Sequence, residues 1–254
     1  MVGKDLIMAT LLGSGGSGGG GWPEVPDDGA TYLYITLAEG RTSPMLGVSS
    51  NDPVTVDWGD GTEPDVLVEA NPGGIMYTPN HNYAVAGNYV IRLTTEGRFT
   101  LTGASSANYG GYIMLHRNAQ DVRNYAYKAA LMRLKIGDNV ALGGQACSQC
   151  FSLREVNVPE DTTSIASHTF GNCYSLQSLK FPSGVTSIEG YAFVKCNSMV
   201  YYDFADCTAV PTLSATTAFN DIPADCEIRV PAALYDEWIA ATNWATYASQ
   251  IKAY

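Results

Sequence analysis

Hydrophobic positions follow two different rhythms along this chain. Between residues 30 and 102 apolar and polar residues alternate in short runs: Tyr32 to Leu37, Val54 to Trp58, Tyr89 to Thr94 and Arg98 to Thr102. Alternation with period two places one side of a strand on a core and the other toward water. Clusters of Gly, Asn, Asp and Pro separate the runs, which predicts short antiparallel strands arranged as a two-sheet sandwich.

From residue 124 to 213 the rhythm lengthens. Phe170, Cys173 and Leu176 return 23 residues later as Phe193, Cys196 and Met199. Ile165 returns as Ile188 and Pro159 as Pro182, and Cys150 and Leu153 lie one period earlier. A step of 22 residues relates Leu131, Leu134 and Ile136 to Leu153, Val156 and Val158, with Tyr125 in the place of Phe170. Self-similarity at about 20–29 residues is the signature of a leucine-rich solenoid, in which each unit buries its apolar side chains only against its neighbours.

Two resemblances follow from these residues. The stretch from Val54 through Trp58-Gly59-Asp60-Gly61-Thr62, followed by His81-Asn82-Tyr83 and Gly87-Asn88-Tyr89-Val90-Ile91, resembles a PKD-type domain. That resemblance implies an immunoglobulin-like spacer or interaction module, with Trp58 and Tyr83 in its core. The unit Phe-x-x-Cys-x-x-Leu-x-x-Leu-x-Phe-Pro-x-x-Val-x-x-Ile is similar to the BspA-type leucine-rich repeats of bacterial surface proteins. The tail, with Ile228-Arg229-Val230-Pro231, Ala233 to Trp238 and Asn243 to Ala248, looks like that family's closing segment. The implication is a last strand and one or two capping helices. The expected chain is therefore mainly β. An arm occupies 1–22, a PKD-like β-sandwich 23–105, a leucine-rich-repeat solenoid 106–230 and a helical cap 231–254.

Charge narrows the partners. The net charge is −11, and the 14 Lys and Arg are scattered without a basic stripe. Nucleic-acid and anionic-lipid partners are thereby disfavoured. No run of 18 apolar residues exists, so no membrane insertion is expected. The N-terminus carries one Lys followed at once by Asp5, and Thr10 breaks its apolar stretch, a poor fit to a secretory signal. Leu6, Ile7, Met8, Leu11 and Leu12 instead read as an assembly anchor. The glycine and serine run 13–21, which in isolation reads as a flexible linker, belongs to the same anchoring arm.

Candidate chemistry adds little. Cys147 and Cys150 form a CxxC pair, but none of His81, His116 and His168 stands at ligand spacing, and a zinc site wants such partners. Cys150, Cys173 and Cys196 share one repeat position and read as a stacked structural ladder. Asp57, Asp60 and Asp65 surround a glycine turn without the register of a calcium loop, so turn chemistry is the first reading and calcium stays open. Glu155, Glu160, Asp161, Glu189, Asp203 and Asp206 spread around the repeats rather than facing each other, as glycoside hydrolysis would need. No catalytic residue and no cofactor is expected. Tyr191, Tyr201 and Tyr202 are the candidate contact residues, with Tyr191 and Tyr202 foremost.

The functional expectation is a non-enzymatic adhesion, receptor-binding or decoration protein on a bacteriophage virion. Residues 1–22 would hold it to other virion proteins, and association between identical copies stays open. Its ligand would be a host-surface protein or glycan. A secreted or cell-surface bacterial adhesin is the alternative, and a carbohydrate-binding accessory of an enzyme is the third reading.

Overall fold

The computed structural model describes residues 22–68, 75–77, 79–101, 114–115 and 129–254. The first part of the chain forms β1 (Thr31–Leu37), β2 (Met45–Leu46), β3 (Val48–Ser50), β4 (Val54–Asp57), β5 (Asp65–Leu67), β6 (Ile75–Tyr77), β7 (Gly87–Thr95), β8 (Phe99–Leu101) and β9 (Met114–Leu115). The second part forms β10 (Leu131–Lys135), β11 (Val140–Leu142), β12 (Glu155–Val156), β13 (Ser164–Ile165), β14 (Ser178–Lys180), β15 (Ser187–Ile188), β16 (Tyr201–Asp203), β17 (Thr212–Leu213), β18 (Glu227–Val230) and β19 (Ile251–Ala253). One short α-helix, α1 (Tyr235–Ala240), lies between the last two strands. The described chain is thus mainly β.

Period two governs the first part. In β1, β4 and β7 the side chains of Leu33, Ile35, Val54, Val56, Ile91 and Leu93 point inward. They share one core with Val48, Phe99, Leu101 and Val140 from the strands of a second sheet. The alternate residues Tyr32 and Tyr34 face outward and pack under Trp22 and Val25. Trp22 meets Tyr34 edge-on at 5.5 Å. Asp28 accepts hydrogen bonds from the Tyr32 hydroxyl and from Arg92. Residues 22–28 therefore strap the outer face of the larger sheet.

The larger sheet runs β12-β10-β1-β7-β4-β5, and the smaller β11-β8-β3-β6. Hydrogen bonding thus crosses the expected boundary at residue 105. β10 pairs antiparallel with β1 and parallel with β12, while β11 pairs parallel with β8. The first repeat strands are built into the sheets of the preceding region. A repeat stack has a raw apolar end and unpaired strand edges, and these sheets cover both.

Register along the second part follows the sequence period. Arg133 sits beside Glu155, a step of 22. Ser164 sits beside Ser187 and Ser178 beside Tyr201, steps of 23. The next step lengthens, with Tyr201 beside Glu227. The buried rings follow the same order. Phe170, Phe193 and Phe219 stack at 5.5 and 5.2 Å. Trp238 of α1, with Trp244 and Tyr247 just beyond it, packs on Phe204 and Phe219 and closes these columns. Residues 231–254, expected to form a helical cap, hold α1 at Tyr235–Ala240. They end in β19, which adds a parallel strand beside β18.

Candidate binding surface

Strands β14, β16, β18 and β19 lie parallel and in register. Leu179, Tyr202, Ile228 and Ile251 form the inward row, each at most 1% exposed. Because side chains alternate across a strand, the residues on either side must face outward. One outward row is Ser178, Tyr201 and Glu227; the other is Lys180, Asp203, Arg229 and Lys252.

These rows are organised at their C-terminal end. The Arg229 guanidinium lies 3.8 Å over the Tyr201 ring and 4.8 Å over the Tyr254 ring. Its Nε and Nη2 donate to one oxygen of Glu227 at 2.9 and 2.8 Å, and the Tyr254 hydroxyl donates to the same oxygen at 3.0 Å. These donors hold the Glu227 carboxyl below its usual range. The Asp206 carboxylate bonds Lys180 at 2.7 Å and raises its ammonium pKa. Beside β14, Glu155 to Val158, Glu160, Ser178 and Lys180 to Pro182 line a shallow groove of about 330 Å³.

The tyrosines expected at the surface separate. Tyr201 takes part in the cluster just described. Tyr191 is 43% exposed and stacks on His168 at 4.9 Å, one repeat step away. Tyr202 is a correction: it is fully buried, against Phe181, Phe193 and Phe219. Adjacent strand residues face opposite sides, so Tyr201 and Tyr202 could not both be surface groups. Arg229, Glu227 and Tyr254 went unnoticed in the sequence. The alternation of Glu227-Ile228-Arg229-Val230 carried the signal for the first two. The return of Tyr254 beside Val230 carried none, since it follows from the cap.

Cys150, Cys173 and Cys196 sit at equivalent positions of successive units, all buried. Cys173 Sγ donates to the Cys147 carbonyl at 3.1 Å, and Cys196 Sγ donates to the Phe170 carbonyl at 3.3 Å. Each thiol thus bonds the carbonyl 26 residues earlier, and the contact recurs from one unit to the next. Burial pushes the Cys173 thiol well up and that of Cys196 to about 12. Thiolate is the reactive form, so these groups are chemically quiet.

Around the glycine turn each carboxylate is engaged by the fold. Asp57 caps the Gly59 amide, Asp65 accepts from Trp58 Nε1, and Asp60 accepts from Thr62 and contacts His81 at 2.7 Å. No group of three metal-ligating side chains occurs among the described residues. No helix among them is long and apolar enough to cross a membrane. Leu6, Ile7, Met8, Leu11 and Leu12 lie outside the described residues.

No curated protein matches the chain. A family model does: the BspA type leucine rich repeat region matches residues 112–226 in six copies.

Proposed function

We propose that this chain is a non-enzymatic binding protein carried on a larger assembly. In this reading a PKD-like, immunoglobulin-like sandwich forms the base, and a leucine-rich-repeat solenoid presents the contact surface. The observation that carries it is the pair of outward rows across β14, β16, β18 and β19. They are extended, side-chain rich and held rigid by a dry core. Rigid display lowers the ordering cost of binding. The match to BspA type repeats supports a surface role without defining one.

A protein ligand fits better than a glycan. Arg229 covers one face of each of Tyr201 and Tyr254 and so withdraws that face from stacking on a pyranose. Arg and Tyr are enriched among protein-binding anchors. The assembly we favour is a phage virion, with residues 1–22 as the attachment to it. A bacterial cell surface is the alternative location.

The test is binding of host envelope proteins and, separately, of a glycan array. Arg229→Ala combined with Tyr201→Ala should lower protein binding at least tenfold while the fold persists. Glycan binding that survives the double substitution would overturn the choice of surface. Recovery of the chain with purified particles, lost on deleting residues 1–21, tests the display reading.

A further inference from the structure

The repeat stack has one seam where its regular hydrogen bonding stops on the strand side. Between the unit of residues 159–181 and the unit that follows, β13 pairs β15 and β14 pairs β16. Between residues 131–158 and 159–181 neither pairing occurs. β12 bonds β10 and β11 bonds β8, so both strand columns end there. The turn side is continuous across the same seam. Gln145, Cys147 and Gln149 donate their amides to the carbonyls of Ser167, Thr169 and Gly171, and Phe151 stacks on Tyr174 at 5.2 Å.

Among the described residues, one ion pair closes the strand side of this seam: Arg98, between β7 and β8, meets Asp161 at 2.9 Å. Both partners are more than half exposed. The shallow groove beside β12 and β14 lies over the same seam. Backbone hydrogen bonds thus join the two sides along the turn edge alone, while on the strand side they meet through buried side chains, with Leu153, Leu176 and Leu179 in one continuous core.

We infer that this seam is a hinge. Residues 22–158 and 159–254 move as two bodies about the turns at 145–149 and 167–171. The motion widens the groove between β12 and β14, and the Arg98–Asp161 pair latches the closed form. An exposed pair biases such an equilibrium by a factor of up to about five.

Pulsed electron–electron resonance tests this on the full chain. Spin labels on an unnatural keto side chain leave the native thiols untouched. One pair, at Thr55 and Asp236, spans the seam; a second, at Gln177 and Asp236, lies within the repeat body. The cross-seam distribution should be clearly the broader. Arg98→Gln should shift it to longer distance, and 1 M salt should do the same in the unsubstituted latch, because screening then acts within about 3 Å. A cross-seam distribution no wider than the internal one overturns the inference. So does one that ignores both Arg98→Gln and salt.

Discussion

Phe181 and Phe204 lie one repeat step apart and stack face to face, 4.0 Å between centroids and 5° from parallel. Both are at most 1% exposed. Phe204 also meets Trp238 and Trp244, so this stack joins the repeat core to the closing segment. Truncating a fully buried ring typically costs about 3–5 kcal/mol, from lost transfer energy and the cavity left behind. Phe204→Ala should lose that much in urea denaturation and should release the Trp fluorescence of the closing segment first. A loss under about 1 kcal/mol would mean that the stack carries little.

The Tyr202 hydroxyl has no oxygen or nitrogen partner and rests near the Cys196 thiol, a weak one. A buried hydroxyl without a good partner costs about 1–3 kcal/mol of desolvation. Tyr202→Phe keeps the ring and removes that cost. Its melting temperature should equal or exceed that of the parent. A marked fall would show that the hydroxyl–sulfur contact is a stabilising one.

Burial pushes the thiols up from their ordinary value of 9.0, Cys207 to about 11 and Cys196 and Cys226 to about 12. The native state therefore holds these protons more tightly than the unfolded chain. Their contribution to stability is complete below pH 9 and is lost as pH rises toward 11–12. At about pH 10.5 Cys196 should have forfeited roughly 2 kcal/mol. Denaturant midpoints at pH 8 and 10.5 measure this, and a flat profile would contradict it. Iodoacetamide at pH 8 should leave all six thiols unmodified until the chain unfolds.

At the junction of the two parts, Gly137 allows β10 to meet the chain entering β1. A Cβ there would stand 2.1 Å from the Gly29 carbonyl oxygen and 2.5 Å from the Ala30 carbonyl carbon, both backbone atoms that cannot step aside. The Gly137 amide donates to Thr31 Oγ1 and the Asp138 amide to the Gly29 carbonyl. Gly137→Ala should break this junction and lower the cooperativity of unfolding, so that the two parts melt at separate temperatures in calorimetry. A single unshifted transition would refute the junction's role.

Much of this fold was legible in the sequence because its rules are local or periodic. The 22- and 23-residue steps named which residues would lie side by side, and Arg133 beside Glu155 and Ser178 beside Tyr201 obey them. A fixed step forces equivalent side chains into one column, so Phe170 over Phe193 needed no three-dimensional information. Alternation likewise determined the inward faces of β1, β4 and β7. The buried Tyr202 was readable by the same rule, had it been applied to its neighbour Tyr201.

Only the tertiary structure decided how the periodic part begins, breaks and ends. Nothing in residues 131–142 announces that β10 and β11 complete the sheets of the preceding region, because pairing partners distant in sequence are chosen by which edges need cover. The Arg229–Glu227–Tyr201–Tyr254 cluster depends on β19 returning beside β18, a placement set by Trp238 and Trp244 closing the phenylalanine columns. The interrupted seam is of the same kind. Periodicity prescribes which residues neighbour each other along the stack, whereas whether two neighbouring strands bond depends on the shapes of the bodies they belong to.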